Sequence, residues 1–273
     1  MRATFLIFIL SALAGCGGNT ASSISNSSQV NQTTANNSAN SATIAATSQT
    51  VTVDSPDGVK IVGSLFESAK PNSPAVLLLH QWQSDRHSYD DFAKRLQAKG
   101  FTVLSIDGRG FGDSTKKADG TAVTAGRSDV DVKAMLGDVG AAFEFLLKQK
   151  YVDPSRVGIV GASYGSSLAM IYAADHPNVK AVALLSPGLN YFGNMPTEPA
   201  IKTYGDRPLY MIAARDDEES AEAVDKLLRA GNNAKYGAKV HAEGGHGTGL
   251  FGRKLGVEDD LEGFFSDNLG VVR

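Results

Sequence analysis

Gly161-Ala162-Ser163-Tyr164-Gly165 sets one serine between glycines two residues away on either side. The apolar run Val157-Gly158-Ile159-Val160 precedes it, and Ser166-Ser167-Leu168-Ala169-Met170-Ile171-Tyr172-Ala173-Ala174 follows with helix-forming composition. Strand, sharp turn and helix in that order make a nucleophile elbow. The turn strains the serine backbone, and only glycine leaves room on either side of it. The hydroxyl is thereby held clear of the sheet, with the Tyr164 N–H and a helix N-terminus beside it. The chemistry this allows is nucleophilic attack on a carbonyl, given a base to take the serine proton and a group to orient that base.

The elements that position this serine follow from hydropathy and turn residues. Val51-Thr52-Val53 and Lys60-Ile61-Val62-Gly63-Ser64-Leu65 flank Asp57-Gly58 and read as two antiparallel strands. Ala75-Val76-Leu77-Leu78-Leu79-His80 is a continuous apolar run, as expected of a strand buried on both faces. Further strands are expected at 101–106, 157–160, 179–185, 209–214 and 239–241. Helices are expected at 88–99, stopped by Gly100, and at 131–148, 166–174 and 220–228, with 249–268 mostly helical. Strands alternating with helices predict an α/β fold, a mainly parallel sheet covered on both faces with the antiparallel pair at one edge.

Four further motifs follow the same order. His80-Gln81-Trp82-Gln83-Ser84 leaves the third strand, and Asp107-Gly108-Arg109-Gly110-Phe111-Gly112-Asp113-Ser114 leaves the fourth. Ala214-Arg215-Asp216-Asp217-Glu218-Glu219 and Glu243-Gly244-Gly245-His246-Gly247-Thr248 follow the elbow. Together these resemble the α/β-hydrolase superfamily over nearly all of residues 51–273, most nearly its compact members similar to dienelactone hydrolases and small esterases. The resemblance implies a Ser, acid, His chain order. Ser163 is then the nucleophile. Among His176, His241 and His246, the glycine-flanked His246 is chosen as base; His241 lies inside a strand, and His176 sits at a helix end. Family spacing selects Asp217 as the acid, with Asp216 its rival and helix capping the alternative role for these carboxylates. Backbone N–H groups of Tyr164 and Trp82 are the implied oxyanion donors, with Gln81 standing where the family commonly has glycine. The Asp107–Ser114 turn reads as structural, with Arg109 as a brace. Dienelactone hydrolase itself uses a cysteine nucleophile, so a serine here argues against that activity and for an esterase acting on a small-molecule ester. Such a reaction needs no metal or organic cofactor. Residues 186–208, where lids are often inserted, are too few for a large one; Tyr191, Phe192 and Met195 there are expected to form an apolar wall beside a shallow site. The loop at 116–127 is a second segment within reach of it.

The chain has 273 residues and a net charge of −3, without the basic stripe or tail that nucleic-acid binding would call for. Residues 1–16 join Arg2, the apolar run Phe5-Leu6-Ile7-Phe8-Ile9-Leu10 and Leu13-Ala14-Gly15-Cys16, in the pattern of a secretory signal. Its last four residues resemble the lipobox of bacterial lipoproteins, which implies lipidation of Cys16, the single cysteine. The expectation is a protein anchored in the bacterial cell envelope, at the outer membrane if the source is Gram-negative. Residues 17–50, rich in Ser, Asn and Thr, read as a flexible tether, and 51–273 as one catalytic domain. Oligomeric state is not encoded in any of these features.

Overall fold

The computed structural model describes residues 47–270. The expected signal, Cys16 and nearly all of the expected tether lie outside the described residues. Eight strands form one sheet: β1 (Gln49–Asp54), β2 (Lys60–Phe66), β3 (Ser73–Leu79), β4 (Thr102–Ile106), β5 (Val152–Ala162), β6 (Val179–Leu185), β9 (Leu209–Ala214) and β10 (Tyr236–His241). A two-stranded hairpin, β7 (Asn190–Tyr191) and β8 (Met195–Pro196), lies apart from it in the chain path between β6 and β9. The sheet order is β1-β2-β4-β3-β5-β6-β9-β10. Pairing is antiparallel for β1–β2 and β2–β4 and parallel across the rest, so the expected antiparallel pair does form one edge. β1 opens at Gln49, two residues ahead of the expected domain start.

Among the described residues six α-helices accompany the sheet: α1 (Asp90–Lys99), α2 (Asp129–Leu147), α3 (Tyr164–Asp175), α4 (Thr197–Tyr204), α5 (Glu218–Gly231) and α6 (Val257–Leu269). The strands divide their side chains by alternation between the two faces. Leu77, Leu79, Ile159, Val182, Leu184 and Met211 pack with α2, α3 and α5 residues in one core. Val76, Leu78, Val160, Ala183, Leu185 and Ile212 pack with Phe92 and Leu96 of α1 and Leu261 and Phe265 of α6 in the other. Burial on both faces is why residues 75–79 of β3 and 181–185 of β6 read as unbroken apolar runs.

Local chemistry sets the helix ends. Ser128 accepts from the Asp131 N–H while the Asp131 carboxylate receives the Ser128 N–H, a reciprocal cap that starts α2 two residues before the expected position. Gly100, at φ 99°, ends α1 as expected. Two stretches differ from expectation. The 186–208 segment holds α4 as well as the hairpin. Pro196 and Pro199 mask this helix in the sequence, yet proline is tolerated in a first turn, whose N–H groups have no helical partner. The 249–268 stretch is not one helix: a 3₁₀ turn at Gly247–Leu250 and α6 are separated by a loop in which Gly252, Lys254 and Gly256 all have positive φ.

Candidate active site

The chain crosses from one side of β3 to the other between β4 and β5, and in open parallel sheets ligands bind at the carboxyl ends of the strands where the order switches. The loops leaving β3 and β5 there carry His80-Gln81-Trp82 and Ser163. Ser163 has φ 55° and ψ −125°, outside the regions favoured for non-glycine residues, and is 6 % exposed. The elbow glycines are required by space. A Cβ on Gly161 would collide with the Gly165 carbonyl, and one on Gly165 would come within 2.6 Å of the His80 carbonyl oxygen. The Ser163 N–H donates to the Leu185 carbonyl at 2.9 Å, which ties the strained turn to the end of β6.

His246 lies in the loop between β10 and the 3₁₀ turn. Its Nδ1 is 2.7 Å from Asp217 Oδ2, and Asp217 stands at the N-cap position of α5 without a side-chain capping bond. The neighbouring Asp216 has different partners: its carboxylate accepts the Gly244 and Gly245 N–H groups, at 3.1 Å, and these two bonds hold its pKa below the usual carboxylate value. Directly after His246, Gly247 donates its N–H to Ser186 Oγ at 2.9 Å. Ser186, with φ 47°, directly follows Leu185, so the nucleophile turn and the base loop are fastened to consecutive residues at the end of β6. Among the described residues no hydrogen bond joins the Ser163 hydroxyl to the His246 ring; catalytic hydrogen bonds are commonly long before substrate is bound. The Tyr191 phenol lies beside the Ser163 and Ser220 hydroxyls and donates to the Ser186 carbonyl at 3.0 Å.

Neither of the other two candidate histidines bonds to Asp217 among the described residues. His241 sits in β10 with a buried Nε2 that has no hydrogen-bond partner among the described residues. His176, at the end of α3, stacks on Tyr172 at 3.8 Å and bonds through Nδ1 to the Tyr172 carbonyl.

His80 orients the β3 loop. Its Nε2 accepts the Gly108 N–H at 2.8 Å, which leaves the proton on Nδ1 to donate to the Gln81 carbonyl at 2.7 Å. Burial pushes its pKa below the ordinary 6.5, in keeping with a neutral ring. The Gln81 carbonyl and the Trp82 N–H belong to one trans peptide, so fixing the carbonyl fixes the direction of the N–H. Neither the Trp82 nor the Tyr164 N–H donates a hydrogen bond among the described residues, and both are available to an oxyanion.

An aromatic roof covers this corner. The Trp82 ring meets Phe111, Tyr164 and Phe192 edge-on, with centroids 4.8, 5.3 and 4.8 Å away. Arg127, at the end of the 116–127 loop, places its guanidinium over both Trp82 and Phe192, 4.7 and 4.9 Å from the ring centroids. Asn194 in the hairpin donates to the Arg127 carbonyl and to Asp129, each at 2.9 Å, joining hairpin to loop. Of the expected apolar wall, Phe192 faces Trp82 while Met195 is fully buried in the core. Arg127, Ser186 and the Gln81 side chain were not assigned from sequence, and Asp216 was weighed there only as the rival acid or a helix cap. Gln81 carried a signal as a departure from glycine, and Arg127 lay in a loop already expected within reach of the site.

The Asp107–Ser114 turn is a brace on both sides. Asp107 accepts from the Arg86 backbone N–H and the Asp113 N–H and pairs with the Arg86 guanidinium. Arg109 pairs with Asp138 of α2 at 2.6 Å and with Asp57 at 2.7 Å, and that guanidinium holds the Asp57 carboxyl down to about 2.

A mainly parallel sheet with helices on both faces and a serine elbow after β5 defines an α/β-hydrolase. Within that class the chain belongs to the dienelactone hydrolase family, whose model matches residues 61–254. An uncharacterised protein of Mycobacterium tuberculosis is 30 % identical over 145 residues, covering 53 % of this chain and 47 % of that protein, so the chain spans about half the length of this relative. A putative carboxymethylenebutenolidase of Aquifex aeolicus is 28 % identical over 62 % of this chain and 73 % of its own, and a polyketide transferase of Penicillium crustosum is 29 % identical over 74 % and 60 %. Among solved structures, a Pyrococcus furiosus esterase superposes with TM-score 0.67 at 17 % identity, covering 82 % of this chain and 93 % of that one. Dienelactone hydrolase from Anabaena variabilis gives 0.61 at 18 % identity over 81 % and 96 %. At these identities the superpositions establish the fold.

Proposed function

We propose that this protein is a serine hydrolase that cleaves carboxylic esters through an acyl-enzyme on Ser163. The observation that carries the reading is the Asp217–His246 pair, hung from the same strand end as the strained Ser163 elbow. With Nδ1–H donated to Asp217, the His246 Nε2 is free of its proton and can take that of Ser163. Ser163 Oγ attacks the ester carbonyl, and the oxyanion is held by the Tyr164 and Trp82 N–H groups. His246 returns the proton to the leaving alcohol. Water, deprotonated by the same imidazole, then releases the acid. Asp217 orients the ring and stabilises the imidazolium.

A second reading is acyl transfer to an alcohol or amine with the same triad, and likeness to a polyketide transferase favours keeping it. Competing acceptors added to an ester assay separate the two: transfer leaves an acylated acceptor, whereas hydrolysis leaves only acid. Anchoring through lipidated Cys16 belongs to the same proposal, supported by the signal-like residues that precede it. No helix of the described residues is long and apolar enough to cross a membrane.

The primary test is labelling of the full chain in detergent with a fluorophosphonate probe. The wild type should label, and Ser163→Ala and His246→Ala should not. A Ser163→Ala protein that still turns over esters at the wild-type rate ends the proposal.

A further inference from the structure

The Gln81 side chain lies between two loops that the chemistry must hold in register. Its Oε1 accepts the Thr248 N–H at 2.7 Å and the Thr248 hydroxyl at 3.1 Å. Thr248 is in the first turn of the 3₁₀ segment that begins directly after His246, where backbone N–H groups have no partner within the turn. The approach is so close that a Cβ on Gly247 would collide with Gln81 Oε1, and Gly247 also has φ 59°. The backbone of the same glutamine accepts from His80 Nδ1 and from the Ser84 N–H, at 2.7 and 3.2 Å, which orients the Trp82 N–H.

We propose that Gln81 is a positioning residue that ties the oxyanion loop to the base loop. Its carbonyl holds the peptide whose N–H faces the oxyanion, and its side-chain oxygen holds the turn that carries His246. A glycine at this position could orient the peptide but would leave the Thr248 N–H without this acceptor. The inference rests on Ser163 and His246 acting as nucleophile and base. Among the described residues, Asp217 bonds the His246 ring, Asp216 accepts from the loop beside it, and the Arg253 guanidinium approaches Gly245.

The position needs an acceptor of glutamine's length, which separates two variants. Gln81→Met keeps the length and loses the acceptor. Gln81→Glu keeps the acceptor and adds a negative charge bonded two residues from His246. The full chain in detergent is assayed with p-nitrophenyl acetate across pH, beside its rate of fluorophosphonate labelling. Gln81→Met should lower kcat and the labelling rate about 10- to 100-fold with KM little changed, since a displacement on the order of 1 Å costs about that much. Gln81→Glu should recover most of kcat and move the acid limb of kcat/KM to higher pH, because the added charge favours the imidazolium. Wild-type kcat in Gln81→Met overturns the inference, as does a Gln81→Glu protein with neither recovery nor a moved limb. Where Gln81→Met does not fold, the pH limb of Gln81→Glu against wild type decides alone. An unimpaired Ser163→Ala control would instead place the failure in the triad reading.

Discussion

Asp216 and Asp217 are adjacent acids at the head of one helix, and the fold gives them different work. Asp217 meets the His246 imidazole, while Asp216 spends its carboxylate on the Gly244 and Gly245 N–H groups that shape the loop around it. An amide at the first position would present the wrong partner to Nδ1–H and leave the ring in the wrong tautomer, a change that costs about 10⁴-fold in a serine triad. Asp217→Asn should therefore lower kcat by roughly three to four orders of magnitude with the fold retained. Asp216→Asn still offers an amide oxygen to the loop, and its loss of kcat should be on the order of ten-fold or less, as expected of a hydrogen bond worth about 1 kcal/mol. Steady-state ester turnover by both variants checks the assignment, and the opposite ranking would exchange their roles.

At the scale of elements, the β3 loop depends on a histidine that must stay neutral. Protonated His80 would have two N–H groups, and its Nε2 could no longer accept from Gly108. Because burial lowers its pKa in the folded state, the unfolded chain takes up the proton first as pH falls. Stability is therefore full above the unfolded value near 6.5 and declines as pH drops from there towards the folded pKa. Urea midpoints should fall between pH 7.5 and 5.0, and His80→Gln should flatten that part of the dependence. His241, also shifted down by burial and less enclosed, serves as the control when replaced in the same way. An equally steep profile in His80→Gln would assign the dependence to another group. The same loop bears Trp82, whose ring meets Phe111, Tyr164 and Phe192 edge-on with Arg127 over it.

For the molecule as a whole, the proposal joins a folded hydrolase to a lipid at Cys16 through a chemically simple spacer. One acyl chain gives only marginal membrane binding, and stable anchoring takes a second signal. Cells fed a clickable fatty acid should yield labelled protein in the membrane fraction. Cys16→Ala should abolish the label and release the domain from membranes while leaving ester turnover unchanged, since the site is built wholly from residues 80–248. Label retained on Cys16→Ala would remove the anchor from the proposal. The catalytic domain carries its own bracing: Arg109 joins the β4 turn to α2 through Asp138 and to the β1–β2 turn through Asp57, and Arg95 of α1 pairs with Glu262 and Asp259 of α6.

Chemistry that depends on neighbours in the chain was legible from sequence. The elbow needs glycine two residues either side of its serine, the sheet strands need unbroken apolar runs, and Gly100 must end α1; each is a short-range constraint that residue type expresses directly. The α/β architecture followed from the alternation of those runs. What the sequence left open joins residues far apart along the chain. Whether Asp216 or Asp217 faces His246 depends on the path of a loop 29 residues away, and which oxygen caps Thr248 depends on a glutamine 167 residues earlier. The cluster of Trp82, Phe192 and Arg127 likewise comes from three segments of the chain that meet. Those pairings are set by sheet order and packing, which no local pattern records, and so only the tertiary structure decided them.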